Sequence, residues 1–307
     1  MQNPKILHID IVGAGKALKL SRLVETQVSA DKYDPVKYKI MTLQNWNLVA
    51  RDYHNDWASK EMGPFKATAE LVKAASINPD DAVLDVACGT GAVSAVASQK
   101  LNSSSILVGI DLSNVALSIA VRFVPQGQFA QMDAEQIGLV GKFDKIFCQY
   151  ALMFFPDPPA VLTALGDLMT KSGVLAISVQ GSADKVPYFS TIMTPVLAHI
   201  PDIRPTGAPN VHRFGKSGDL ERTISEAGFS EITITKFTFE YEAGTFEDYW
   251  SDYLSTTAAS IRARIVSDPK KLAKIKSEAE DRARQYRSEG EMIVFPWEVL
   301  IATARHG

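Results

Sequence analysis

The chain has 307 residues, 46% hydrophobic content, a formal net charge of -3 and a pI near 6.0. This balance excludes the basic surface that nucleic-acid binding requires, while the length suffices for one sizeable core with appended segments. Without an apolar run of membrane-spanning length, a signal-peptide pattern or metal-ligand spacing around Cys88 and Cys148, we expect a cytoplasmic, metal-free protein with no membrane span.

Residues 1–41 form an N-terminal extension to which we assign no function. Residues 6–12 are apolar enough for a strand, and the run Gly13-Ala14-Gly15-Lys16 follows them. A phosphate-binding loop requires a glycine five residues before the glycine of its Gly-Lys pair, and a Ser or Thr after the pair. Asp10 and Ala17 occupy those positions, so we expect a simple turn here.

Residues 42–76 are predicted to be helical and carry four large aromatic side chains. The simplest interpretation is that these side chains pack the helices onto the core. They are Trp46, Tyr53, Trp57 and Phe65.

A buried strand over residues 82–87 leads into the glycine turn Cys88-Gly89-Thr90-Gly91. Glycines at such a turn permit a close approach of ligand to the main chain, which favours a nucleotide-like ligand at the carboxyl end of the strand. Dinucleotide-binding turns share this feature, but here Ser94 takes the third glycine position. Asp85 suits a ligand that carries an ammonium group, and it would repel a pyrophosphate.

The next two strands also end in acids. Residues 106–111 end at Asp111, which can accept hydrogen bonds from both hydroxyls of a ribose. The alternative is that Asp111 or Ser113 caps the following helix, and one residue can do both. A third strand within residues 128–135 leads to Asp133, whose alternative role is surface solvation.

A fourth strand over residues 143–149 ends at Gln149 and Tyr150. A helix over 159–171 and a fifth strand over 174–179 follow it, and the late strands are predicted over 231–241 and 295–305. The alternation predicts an α/β fold with a mostly parallel sheet and helices on both faces.

The segments "LDVACGTG", "GIDLS", "MDAE" and "FDKIFCQYALMFFPDP" resemble, in order and spacing, class I S-adenosylmethionine-dependent methyltransferases. Within that class they are similar to the ubiquinone/menaquinone-biosynthesis branch and its small-molecule relatives. The resemblance covers residues 80–180 and, more loosely, the late strands. It implies a Rossmann-like seven-stranded sheet whose last strand is antiparallel and inserted beside the fifth. The methyltransferase domain would then span residues 42–307.

The resemblance also implies S-adenosyl-L-methionine as cofactor and a set of residues that bind it. Asp85 would bind the ammonium group, Asp111 the ribose, and Asp133 with the Ala134 amide the adenine. Tyr53 or Trp57 would cover the cofactor, where a ring face favours the sulfonium. The full expected set is Tyr53, Trp57, Asp85, Ala87, Gly89, Thr90, Gly91, Asp111, Leu112, Met132, Asp133, Ala134 and Gln149.

Two insertions, residues 181–217 and 245–290, are predicted to form a helical cap over the acceptor site, the second as two helices. Their apolar and aromatic composition favours an apolar or ring-bearing small molecule, although the same surface could form a homodimer. His199, His212 and Tyr150 are the candidates for a general base. For both histidines a surface or structural role is the favoured interpretation, and a base is needed only if the acceptor must lose a proton.

Two other functions stay open at this stage. The same scaffold could bind a cofactor or a protein partner without catalysis. An NAD-dependent oxidoreductase is the other alternative, weakened by Asp85 and Ser94.

Overall fold

A computed structural model describes residues 33–259, 261–288 and 290–307. The described residues form one seven-stranded sheet. Its strands are β1 (Val83–Val86), β2 (Leu107–Asp111), β3 (Gln128–Gln131), β4 (Phe143–Gln149), β5 (Met169–Gln180), β6 (Phe229–Glu242) and β7 (Val294–His306).

The strand order is β3-β2-β1-β4-β5-β7-β6. The first five strands are parallel, whereas β7 pairs antiparallel with both β5 and β6. The predicted antiparallel last strand and its insertion beside the fifth are therefore confirmed. The chain reverses its strand order at β1 and β4, and this is the position where an open α/β sheet forms its ligand crevice.

Helices cover both faces of the sheet. In chain order they are α1 (Pro35–Tyr53), α2 (Thr68–Ala74), α3 (Ala92–Ser98), α4 (Asn114–Phe123), α5 (Pro158–Asp167), α6 (Pro187–His199), α7 (Ser217–Glu226), α8 (Phe246–Ser255), α9 (Arg262–Val266) and α10 (Pro269–Ala283). A π-helical turn (His54–Ala58) and a 3₁₀ turn (Gly63–Ala67) join α1 to α2.

Burial explains the position of each strand in the sheet. All four residues of β1 are buried, as expected of a central parallel strand with helices on both sides. β6 alternates between partly buried and exposed residues along most of its length, which is the pattern of an edge strand with one face toward water.

Several predicted boundaries move. Helix α1 begins at Pro35, so the domain boundary predicted at residue 42 falls inside a helix; Asp34 caps it and Pro35 occupies its first turn. The helix predicted over 159–171 ends at Asp167, because Met169 already pairs with Phe143 of β4. The second insertion contains three helices, α8 to α10, rather than two. The strand predicted over residues 6–12 lies outside the described residues.

The two insertions pack on each other and on β7 through a cluster of aromatic side chains. Tyr188 of α6 is fully buried against Tyr249 and Tyr253 of α8 and against Trp297 of β7. The phenol of Tyr249 donates a hydrogen bond to the Tyr188 carbonyl oxygen at 2.5 Å. The cap is thus joined firmly to the sheet.

Both cysteines are free and buried. Cys88 lies in the glycine turn and Cys148 lies within β4. Burial raises the pKa of the Cys148 thiol to about 12 and that of Cys88 well above its ordinary value.

Hydropathy along the helices gives a separate result. Within the described ranges, no helix is both long enough and apolar enough to cross a membrane.

Candidate functional site

A cleft at the carboxyl ends of β1 to β4, here called the first cleft, collects most of the predicted site residues. With the solvent space at its mouth included, it holds about 1170 Å³ of empty space. The predicted residues that line it are Tyr53, Asp85, Ala87, Gly89, Thr90, Asp111, Leu112, Met132, Asp133, Ala134, Gln149 and Tyr150.

The glycine turn leaves its main chain open to this cleft. Gly89 has φ +55°, and a Cβ added there would meet nothing within 4 Å, so the space beside it is empty. Gly91 has φ +90° at the start of α3 and shapes the turn without lining the cleft. Ala87, just before the turn, also has a positive φ of 54°. For a residue with a Cβ this is a strained backbone, of a kind that clusters at functional sites.

Asp85 is held in place by one residue of α3. The backbone amide and the hydroxyl of Ser94 donate to the same Asp85 carboxylate oxygen, at 3.0 and 2.6 Å. Burial raises the pKa of Asp85 to about 7, although both Ser94 bonds act in the opposite direction. Ser94, which takes the place of the third glycine of a dinucleotide-binding turn, therefore also holds the Asp85 carboxylate in position.

Asp111, at the end of β2, connects that strand to the glycine turn of the first cleft. Its carboxylate accepts hydrogen bonds from the Gly89 amide at 2.8 Å and from the Ser113 amide at 2.7 Å. Ser113, not Asp111, caps α4 by accepting from the Ala116 amide at 3.0 Å. Burial raises the pKa of Asp111 as well, against these backbone bonds. Two buried acids thus face one cleft, a charge pattern that favours a cationic or hydroxyl-rich ligand.

Helix α1 roofs the first cleft with side chains spaced one or two turns apart. Tyr38, Thr42, Trp46 and Tyr53 all line it. Sequence reasoning missed the first three as site residues. Tyr38 lies before residue 42, where the helix was predicted to begin, and Trp46 was interpreted as a packing side chain. The Asp34-Pro35 pair is a recognisable start signal and would have extended the helix to include Tyr38.

Lys39 of α1 is a further residue that the sequence did not indicate. Its ammonium contacts the Asp133 carboxylate at 2.6 Å and also pairs with Glu135. Asp133 is therefore not a merely solvated surface acid, because it anchors the roof to the end of β3. No periodic signal relates residues 94 positions apart, so this contact is a product of the fold.

Gln149, at the end of β4, has a side-chain amide with only one of its two polar atoms bonded among the described residues. Gln149 accepts a hydrogen bond from the Thr68 hydroxyl at 3.1 Å, while its Nε2 is buried and has no acceptor among the described residues. Tyr150 has φ 52° and its phenol donates to the Pro64 carbonyl oxygen at 2.6 Å. Burial raises the pKa of Tyr150 well above its usual value, which disfavours Tyr150 as a base.

A second cleft lies beside the first and holds about 1290 Å³ of empty space, with the solvent at its mouth included. Its walls come from α1, the end of β4, α6, the loop after α6 and the end of α8, so both insertions contribute. Six side chains line both clefts, which makes the two adjacent. They are Tyr38, Thr42, Trp46, Tyr53, Tyr150 and Phe154.

Three predicted residues lie elsewhere. Trp57 lines the second cleft only, as part of the aromatic cluster around Tyr188. His199 is on the surface, where its Nε2 lies 2.8 Å from a Glu278 carboxylate oxygen. The Nδ1 of His212 donates to the Gly181 carbonyl oxygen at 2.8 Å, and its Nε2 is buried with no hydrogen-bond partner among the described residues. Neither histidine lines the first or the second cleft, so the favoured structural interpretation of both agrees with the geometry.

Residues 77–202 match a family model described as "Methyltransferase domain". Three similar proteins illustrate the range of relatives. The trans-aconitate 2-methyltransferase of Deinococcus radiodurans is 27% identical over 49% of this chain, and the match spans 55% of that protein's own length. Aklanonic acid methyltransferase DauC of a Streptomyces species is 28% identical over 49% of this chain and 75% of its own. The uncharacterized protein Rv1403c of Mycobacterium tuberculosis is 24% identical over 83% of this chain and 94% of its own.

Solved structures share the fold. An S-adenosylmethionine-dependent methyltransferase of Thermotoga maritima superposes with a TM-score of 0.50 at 14% identity, over 85% of this chain and 99% of that one. Phosphoethanolamine N-methyltransferase 2 of Haemonchus contortus, solved with S-adenosylhomocysteine, gives a TM-score of 0.50 at 14% identity. That match covers 88% of this chain and 57% of the other. At such identities the structural likeness concerns the fold alone.

Proposed function

We propose, from the premise that this chain belongs to the class I S-adenosylmethionine-dependent methyltransferases, that it transfers a methyl group from S-adenosylmethionine to a small molecule. The single observation that carries this proposal is the pair of clefts that share a wall at the carboxyl end of the sheet. The first would hold the cofactor and the second the acceptor. In-line displacement from a sulfonium needs alignment of donor and acceptor and exclusion of water, and this arrangement provides both.

In this proposal the first cleft binds the three parts of the cofactor separately. The open main chain at Gly89 receives the amino acid tail, with Asp85 opposite its ammonium group. Asp111 accepts the ribose hydroxyls, and Asp133 accepts the adenine amine. The sulfonium then lies toward Tyr53 and the end of β4. What supports these roles is that all of these residues line the first cleft, with the three acids and Gln149 at or near the carboxyl ends of β1 to β4.

The acceptor would enter between the cap and the end of β4. Aromatic and aliphatic side chains together make up most of the lining of the second cleft, which supports an apolar or ring-bearing acceptor. Two relatives are named for small acids, trans-aconitate and aklanonic acid, and these names support a small-molecule acceptor.

The remaining partners are also part of the proposal. A net charge of -3 argues against nucleic acid as the acceptor. Apolar side chains of α1 and α4 are exposed, among them Leu48 at 63% and Val121 at 53%, and they could serve a homodimer. Two free thiols suit a reducing compartment such as the cytoplasm.

Thermal unfolding with three ligands tests the proposal. S-adenosylmethionine and S-adenosylhomocysteine, each at 100 times its dissociation constant, should add about 2.7 kcal/mol to the unfolding free energy. NAD at the same concentration should add nothing. Stabilisation by NAD alone would favour an oxidoreductase. Stabilisation by the methyl donor without transfer of its labelled methyl to any metabolite in a cell extract would favour a non-catalytic binding protein.

A further inference from the structure

We propose that the second cleft selects a ring-bearing carboxylate and that Arg204 is the residue that binds its carboxylate group. This inference rests on the proposed methyl transfer and names the class of its acceptor. Arg204 lies in the loop after α6 and lines the second cleft but not the first. It is the one charged side chain among the described residues of that lining.

Arg204 has no carboxylate partner in the part of the chain that the structure describes. One of its terminal nitrogens, Nη2, donates to the Pro209 carbonyl oxygen at 2.6 Å, which fixes the guanidinium in the loop. The nearest acid along the chain, Asp202, is paired with Arg264 at 2.7 Å instead. The other guanidinium donors of Arg204 remain available, and a half-buried guanidinium beside an apolar cleft favours an anionic ligand that can accept from two of them.

The Tyr38 phenol places this charge near the wall that separates the clefts. Burial raises the pKa of Tyr38, and the positive charge of Arg204 acts in the opposite direction, so the two groups lie close together. Burial also raises the pKa of Tyr253, on the far side of the second cleft, and the positive charge of Arg204 again acts in the opposite direction. Because Tyr38 and Thr42 line both clefts, an anion bound to Arg204 would lie toward the cofactor.

The lining of the second cleft offers no group that could accept a proton at neutral pH. Its described residues include no Asp, Glu, His or Lys. The tyrosines in it have pKa values raised by burial. An acceptor that must be deprotonated would therefore find no base here, whereas a carboxylate is already ionised and nucleophilic.

Transfer to the carboxylate balances without a proton. A carboxylate oxygen lone pair forms the new bond to the methyl carbon, and the carbon–sulfur bond breaks with its electron pair moving to sulfur. The sulfonium and the carboxylate lose their opposite charges together. The products are a methyl ester and S-adenosylhomocysteine, with no proton released.

Binding to the protein saturated with S-adenosylhomocysteine tests the selection. The probes are benzoate, 1-naphthoate and anthraquinone-2-carboxylate, each compared with its primary amide by calorimetry. We expect at least one acid to bind ten times more tightly than its amide, and Arg204→Gln to remove that difference. Arg204→Lys should keep part of it, and Arg222→Gln, a surface change on α7, should keep all of it.

S-adenosylhomocysteine affinity should be the same in all four proteins. The absence of any preference for acids over amides in the wild type would overturn the inference, as would a preference that persists in Arg204→Gln. Failure of S-adenosylhomocysteine to bind the wild type would instead overturn the proposed function, so the two failures are distinguishable.

The nature of the product tests the second half of the inference. Each acid that binds is incubated with methyl-labelled S-adenosylmethionine, and the label should be released as methanol by mild alkali. In weak buffer the reaction should leave the pH unchanged. Label that survives alkali, or a bound acid that accepts no label, would overturn the carboxylate as the methyl acceptor.

Discussion

At the residue scale, the site depends on acids that the sheet buries at its carboxyl edge. Asp85 and Asp111 could be identified from the sequence because each ends or interrupts an apolar strand, where a charge would otherwise be costly. Lys39 could not be identified, because its partners Asp133 and Glu135 meet it only after α1 folds over the sheet. The local sequence pattern indicates which residues a strand buries. It does not indicate which charged residue, distant in the sequence, pairs with an acid of the site in the folded protein.

The raised pKa of Asp85 predicts that cofactor affinity depends on pH. The pKa rises from 3.8 to about 7 in the folded protein, so the protonated acid stabilises the fold at low pH. That contribution is lost as pH rises through about 7. An ammonium-bearing ligand favours the ionised acid, so S-adenosylhomocysteine affinity should increase between pH 5.5 and 7.5, by up to about tenfold per pH unit.

Calorimetric titration across this range measures the slope. Asp85→Asn should bind more weakly at pH 7.5 and show a flatter profile, because its side chain cannot ionise. The Ser94 donors can still bond the amide oxygen, so the turn should keep its shape. A slope unchanged by the substitution would assign the pH dependence to another group.

Tyr53 and Trp57 should separate affinity from stability. Tyr53 lines the first cleft, so Tyr53→Leu should weaken S-adenosylhomocysteine binding by an amount equivalent to about 0.5–2 kcal/mol. Trp57 is 3% exposed among Tyr188, Tyr241 and Trp297, so Trp57→Ala should lower the unfolding free energy by about 3–5 kcal/mol. Urea unfolding and calorimetry on both variants make the comparison. Equal loss of affinity in the two would contradict the placement of Trp57 outside the first cleft.

At the element scale, α1 decides whether the first cleft is open groove or covered pocket. The alternation of strands and helices followed from chain-local hydrophobicity, whereas the antiparallel insertion was implied by the resemblance to class I methyltransferases. The position of α1 over the first cleft could not be predicted in this way, because it depends on the residue at which the helix begins. A difference of seven residues, from 42 to Pro35, brings Tyr38 and Lys39 into the site.

Removing the cap of α1 should loosen this roof. Asp34 accepts hydrogen bonds from the Val36 and Lys37 amides at 2.8 and 3.2 Å, and such a cap contributes about 1 kcal/mol. In Asp34→Ala the first turn should fray, with a several-fold loss of S-adenosylhomocysteine affinity and little change in melting temperature. Isothermal titration and thermal unfolding measure the two effects.

The chain contains a matched control for this variant. Asp268 caps α10 in the same way, with Pro269 in the first turn and two amides donating to its side chain. Asp268→Ala should remove a comparable cap far from the first cleft and leave ligand affinity intact. If both variants lost affinity equally, a general effect on stability would explain the result better than the roof.

At the scale of the whole molecule, the two insertions and the sheet form a single aromatic core. Trp297 of β7 donates a hydrogen bond to the Gln180 side chain at 2.7 Å and packs on Tyr188 of α6. The sequence predicted a cap from its helical stripes, but side-chain pairing across the insertions depends on tertiary packing. Because cap and sheet share this core, the second cleft has an outer wall packed on the sheet and an inner wall formed by α1.

The labelling rates of the two buried cysteines can be used to measure local and global opening of the protein. A thiol-specific reagent reacts only with an exposed thiolate, so the labelling rate of each cysteine reports how often the structure around it unfolds. Cys88 borders the first cleft and should report local breathing of the glycine turn, while Cys148 lies inside the central strand β4 and should report global opening. Mass spectrometry on Cys88→Ala and Cys148→Ala separates the two rates. We expect Cys88 to label faster and S-adenosylhomocysteine to slow it strongly; equal rates would mean that the turn opens only when the whole sheet does.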